Sequence, residues 1–137
     1  MRDGQGSIIC SGYSKLGKAL EAVHTKIIAC LQALQRVAML GIQKVVLETD
    51  IVHVVQAINQ PELDRSSASG LLWEFKECLL CNFSSFVVAH NPHSCNLVAH
   101  SLAALGAKLC PSTNPIMDSI PPCIDVLVAN DLASGYE

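Results

Sequence analysis

Charge is scarce in this sequence and aromatic residues are scarcer: Asp, Glu, Lys and Arg make up 15% of it, and Phe, Trp and Tyr 4%. So few aromatics leave little from which to build a base-stacking platform. The nine Lys and Arg are scattered from Arg2 to Lys108 without a basic run, and the net charge is −3. That counts against strong binding of a phosphate backbone by any contiguous stretch. No apolar run is long enough to span a bilayer. The polar opening Met-Arg-Asp-Gly-Gln-Gly is not a secretory signal. The seven cysteines are an odd number. Without a signal, they read as free thiols in a reducing intracellular compartment, nucleus or cytoplasm.

Half of the residues are hydrophobic, and 137 residues suffice for one domain with a real core. Lys44–Thr49 has strand composition and runs directly into Asp50. Before it, Leu20, Val23, Ile27, Leu31, Leu34 and Ala38 step by threes and fours, predicting a helix over 18–40 with Gly41 as its C′ residue. After it, Val54, Val55 and Ile58 predict a helix over 51–59 stopped by Pro61. Residues 60–69 read as loop, and 69–81 as a helix with Leu72, Phe75 and Leu79 on one face. The alternation of 82–90 predicts a strand moderately buried on both faces. Ser94 is the expected cap of a helix over 95–108. At the start, Asp3-Gly4 signals a hairpin turn whose first arm is missing, followed by a short strand over 7–13. Pro111, Pro115, Pro121 and Pro122 interrupt the tail, which is expected to hold a short helix around 124–132. A helix between strands suggests an α/β sheet with parallel pairing around 44–49.

Particular segments then carry a likeness. Val-Val-Leu-Glu-Thr-Asp (45–50) with Val-Val-Gln-Ala-Ile-Asn (54–59), Asn-Phe-Ser-Ser-Phe (82–86), and the run from His90 to Gly106 resemble one family. So do residues 23–34 and the tail around Asp118 and Ala129. The family is the reverse-transcriptase-associated ribonuclease H-like domain of plant non-LTR retrotransposons. The resemblance implies a five-stranded mixed sheet flanked by helices, here lacking its first two strands. Residues 1–109 would be the truncated domain and 110–137 a Pro-interrupted tail. It further implies an RNA–DNA hybrid as partner. Cleavage of the RNA strand would use two Mg²⁺ ions about 4 Å apart, held by clustered carboxylates.

Carried over residue by residue, the resemblance places one family acid upstream of residue 1. The acid of the first helix falls two residues after His24, at Lys26. The acid that ends the strand is Asp50. The acid of the last helix follows Asn96 and Ala99, at His100. Only Asp50 keeps a carboxylate, so a catalytically degenerate retroelement remnant is expected. An ammonium at 26 competes with any nearby cation. Glu21 lies about 140° around the helix from Lys26, while Glu48 shares a strand face with Asp50 and is a second possible oxygen ligand.

Each candidate also has a plainer reading. Asp50 reads as a metal ligand, as the N-cap of the helix that follows, or as both. His100 either acts near phosphate or metal, or is a half-exposed histidine bonded to Asn96 or to the sheet edge. His24 reads as a packed or capping residue. Cys78, Cys81, His90, His93 and Cys95 fit no common zinc spacing, and Trp73 and Tyr13 read as packing rather than base-stacking residues. Two alternatives stay open. One is an active metal-dependent hybrid ribonuclease whose missing acids come from elsewhere. The other is an interaction module that pairs with a protein partner, or with itself, through an exposed sheet edge.

Overall fold

The computed structural model describes residues 1–13, 15, 21–60, 69–108, 116–117 and 121–134. In chain order the elements are β1 (Ser11–Gly12), α1 (Ala22–Met39), β2 (Lys44–Thr49), α2 (Val52–Asn59) and α3 (Ser69–Asn82), then β3 (Ser85–His90), α4 (Leu97–Ala107), β4 (Ile116–Met117) and α5 (Asp125–Ser134). They form two units: residues Lys18–Pro92, and Met1–Gly17 together with His93–Glu137.

In the unit Lys18–Pro92 the apolar spacing sets the packing. Ile27, Leu31, Leu34 and Val37 are the buried stripe of α1, and Leu72, Phe75 and Leu79 that of α3. The two helices pack together. Phe75, Ile27 and Leu79 are wholly inaccessible to solvent. α1 ends in a Schellman motif: Gly41 takes φ 75°, its N–H donates to Ala38 O at 2.9 Å, and Ile42 N–H donates to Val37 O at 3.4 Å. This is the stop expected from Gly41.

β2 and β3 pair in parallel, with Lys44 opposite Ser85 and Thr49 opposite His90. α2, the crossover's first helix, covers β3 and touches β2. Val45, Leu47 and Thr49 lie on the covered face, whereas Lys44, Val46 and Glu48 are exposed. The burial expected on both faces of 82–90 is not found: Val87 is 54% exposed and its pairing partner Val46 is 68% exposed. The strand also starts later, at Ser85, because α3 runs on to Asn82 and Phe83 N–H still donates to Leu79 O at 3.2 Å.

In the other unit, the N-terminal hairpin has both arms. Arg2 bridges Ile8, Ile9 N–H donates to Met1 O, and Gly6 at φ 87° closes the turn. Asp3 Oδ1 accepts the N–H groups of Gln5 and Ser7, each at 2.9 Å. The expectation that the chain starts inside the turn is therefore corrected: Met1 and Arg2 are a minimal first arm. The strand expected over 7–13 shrinks to Ser11–Gly12, which pairs antiparallel with Ile116–Met117 and not with β2. A cluster of Val98, Ile124 and Val128, with Ile8, Leu102, Leu105 and Leu127 against it, forms this unit's core. α4 starts after a 3₁₀ turn at His93–Cys95 with Asn96 as N-cap, so Ser94 is not its cap. α5 matches the helix expected in the tail. The loop expected over 60–69 lies mostly outside the described residues. No helix among the described residues is long and apolar enough to cross a membrane.

Candidate active site

β2 delivers Asp50 at its C-terminal end, where the chain bends toward α2. α1 delivers Lys26 and, one turn later on the same face, Cys30. The two elements meet in an ion pair: Lys26 Nζ donates to Asp50 Oδ2 at 2.8 Å. The side chains are 49% and 26% exposed, so water screens the pair in part.

Asp50 is not the N-cap of α2. That position belongs to Ile51, which carries no side-chain cap bond; just ahead of the helix the Thr49 hydroxyl accepts Ile51 N–H at 3.3 Å in a local turn. Thr49 is buried, 5% exposed, and its side chain also bonds the Cys30 thiol. Burial pushes that thiol up to about 11, against the Thr49 hydrogen bond, which lowers it. Cys30 is therefore an inert packing group at working pH.

Glu48 faces another way. Its Oε2 accepts Asn91 Nδ2 at 3.3 Å across the parallel pair. The two carboxylates offered by the sequence thus meet different groups: Asp50 an ammonium from α1, Glu48 an amide from the end of β3. Glu21 is the N-cap residue of α1, and its Oε2 lies 3.6 Å from His24 Nδ1.

In the unit that contains α4, the His100 ring lies edge-on to His93, with centroids 4.1 Å apart and planes at 73°. From sequence, His100 is expected to act near phosphate or metal, or to bond Asn96 or the sheet edge. The contact between His100 and Asn96 in the structure is the helical bond from His100 N–H to Asn96 O at 3.1 Å. Cys78 and Cys81 lie on α3, near Asn82 and Glu77 respectively. Among the described residues no three His, Cys, Asp or Glu side chains gather into a metal-binding group. Trp73 does not pack as expected: it is 67% exposed on α3.

Sequence reasoning missed the Cys30–Thr49 contact and the direct pairing of Lys26 with Asp50. The i, i+4 spacing of Lys26 and Cys30 was a visible signal that both face one neighbour. That the neighbour is the end of β2 depends on how the helix packs. Chemically, the pair neutralises the carboxylate and fixes it to α1 by a charge-assisted hydrogen bond. It offers neither a free carboxylate pair for acid–base work nor an acidic cage for a cation.

Comparison with known proteins bears on all of this. The reverse transcriptase-like family profile matches residues 1–106. No curated protein sequence matches the chain. Among solved structures, the crystal structure of RNase H1 from the halophilic archaeon Halobacterium salinarum NRC-1 superposes with a TM-score of 0.61 at 21% identity, over 68% of this chain and 70% of that one. At that identity the match speaks for the fold. With the profile match spanning most of the sequence, the chain belongs to the reverse transcriptase-like family and has a ribonuclease H-like α/β fold.

Proposed function

We propose that this chain is a catalytically silent ribonuclease H-like domain, descended from the retroelement enzymes of plants that cut the RNA strand of RNA–DNA hybrids. The observation that carries this reading is the 2.8 Å bond from Lys26 Nζ to Asp50 Oδ2. Ribonuclease H-like proteins typically use Mg²⁺, and hybrid cleavage of this type rests on carboxylates that hold two such ions. The residues present do not fit that group. An ammonium already sits on the carboxylate a cation would need, and like unit charges 4 Å apart repel by about 1 kcal/mol even where water screens them. The repulsion doubles for a divalent ion. Lys26 and His100 stand at positions where the resemblance calls for acids. No catalytic step is therefore assigned to a metal here.

Hybrid binding is the function such a domain retains most readily, and it is expected to be weak. The exposed ring of Trp73 is one available aromatic surface, but Lys76 and Glu77, the nearest charges along α3, offset each other and leave no cationic excess for phosphate. The likeness of residues 45–50 and 90–106 to the plant non-LTR elements supports the assigned ancestry.

The test is cleavage of an end-labelled RNA–DNA hybrid by purified chain in excess, with Mg²⁺ or Mn²⁺. The expected result is no product above a no-protein control. Metal-dependent product that disappears in Asp50→Asn would overturn the proposal and establish a working hybrid ribonuclease.

A further inference from the structure

We infer that the free edge of β2 is a self-complementary docking strand, through which two copies of this chain pair antiparallel about a two-fold axis at Val46. The inference is independent of any activity toward nucleic acid.

The backbone fixes which residues face that edge. Gln43 O accepts the N–H groups of Ser84 and Ser85, and Thr49 O accepts Asn91 N–H. Along an extended strand the N–H and C=O of one residue point the same way, and successive residues alternate. Val45 and Leu47 therefore also face β3, whereas Lys44, Val46 and Glu48 direct both backbone groups to the other side. Among the described residues β2 has no second strand neighbour, since its sheet consists of β2 and β3 alone. The same three residues have exposed side chains, with Val46 at 68%.

An open strand edge seeks a strand, and the side chains select which one. A two-fold axis through Val46 sets Val46 against its own copy. It also sets Lys44 of each chain against Glu48 of the other. Because these three residues all point their backbone groups outward, every such pair exchanges both N–H···O=C bonds, the closely bonded arrangement of antiparallel strands. On the exposed face the result is two symmetry-related Lys–Glu pairs flanking a valine row. That row runs Val87, Val46, then Val46 and Val87 of the second copy, because Val46 and Val87 are already cross-strand partners. The row buries the facing flanks of the two Val46 side chains against each other, as cross-strand neighbours do.

The register is singular. Sliding by two residues puts Lys44 against Val46 and breaks both charge pairs, and sliding by one residue would turn the covered face outward. The outer edge of β3 has no such code. A two-fold axis at Val88 would set Phe86 against His90, with no opposite charges. A lysine on an edge is by itself a guard against pairing. Glu48, four residues on, converts the guard into a match for a second copy, an isologous interface of closed symmetry.

Sedimentation velocity of the full chain under reducing conditions, over a wide concentration range, tests this. The unaltered chain is expected to show a reversible monomer–dimer equilibrium. Lys44→Glu and Glu48→Lys each turn both cross-strand pairs repulsive and should weaken dimerisation about tenfold or more. The double variant Lys44→Glu with Glu48→Lys restores opposite charges and should recover the original constant. Val46→Pro removes a central donor that the monomer's own ladder does not use, and should leave a folded monomer by circular dichroism. Should the proline variant not fold, the charge-swap set decides alone. A monomer at every concentration overturns the inference, whether its edge stays bare or takes a strand from another protein. So does a dimer that a folded Val46→Pro variant still forms, or one that the double swap weakens as much as the single changes do.

Discussion

Replacing Lys26 by Glu exposes the logic of the candidate site. The substitution removes the ammonium that bonds Asp50 Oδ2 at 2.8 Å and puts a second carboxylate beside it. The lost ion pair is part exposed on both sides, so its contribution is at most about 1 kcal/mol. Two carboxylates at about 4 Å in a water-like environment add about 1 kcal/mol of repulsion. The sum, about 1–2 kcal/mol, should lower Tm by roughly 5 °C in a chain of this size. The informative part is the response to Mg²⁺. In the variant a divalent ion offsets the repulsion. A site with a Kd near 1 mM would regain about 1.4 kcal/mol at 10 mM ion, and Tm would return most of the way. The unaltered chain should show no comparable Mg²⁺-dependent rise, because Lys26 already neutralises Asp50. Lys26→Met provides the control: it loses the pair, gains no acid, and should not respond to Mg²⁺. Thermal unfolding followed by circular dichroism, with Mg²⁺ or with chelator, reads all three. A Mg²⁺-dependent rise in the unaltered chain as large as in Lys26→Glu would refute the reasoning.

Other outcomes follow from the surrounding structure. Gly41→Ala puts a Cβ on a residue at φ 75° with open space around it, so its cost is conformational, about 1 kcal/mol in denaturant unfolding. Phe75→Ala removes a wholly buried ring and should cost about 3–5 kcal/mol in the same measurement. Cys30 should resist iodoacetamide at pH 8 while the exposed Cys81 and Cys123 react, as peptide mass spectrometry would report. Its thiol also makes stability fall in alkali. The unfolded thiol ionises first, near pH 9, while the folded one holds its proton to about 11, so the contribution is intact below pH 9 and lost across that window. Cys30→Ala should flatten this part of the pH profile.

The elements that could be read from sequence are those whose signal is local. β2 is dense in β-branched residues between a glycine and an acid. α1 and α3 carry regular apolar stripes, and Gly41 marks a helix end where positive φ is needed. What escaped depends on partners far along the chain. Ile116–Met117 is too short to show an alternation, and its pairing with Ser11–Gly12 spans most of the sequence. Alternation in 82–90 reveals two faces but not whether anything covers each, so the exposure of Val87 was not readable. Asp before an apolar run looks like a helix cap, yet Ile51 holds that position without a side-chain cap bond, and Asp50 turns instead toward Lys26. The assignment of Lys26 and His100 to acid positions rests on the resemblance alone. That Lys26 reaches Asp50 required the packing of α1 beside the end of β2.

On the proposed reading, Lys26 holds the place at Asp50 that a divalent cation would need. Mn²⁺-induced relaxation of backbone amide signals measures this most directly, because a bound paramagnetic ion broadens the amides nearest to it. The unaltered chain should show no selective broadening of Thr49, Asp50 and Ile51 at millimolar Mn²⁺. Selective loss of those signals at substoichiometric Mn²⁺, absent in Asp50→Asn, would contradict it.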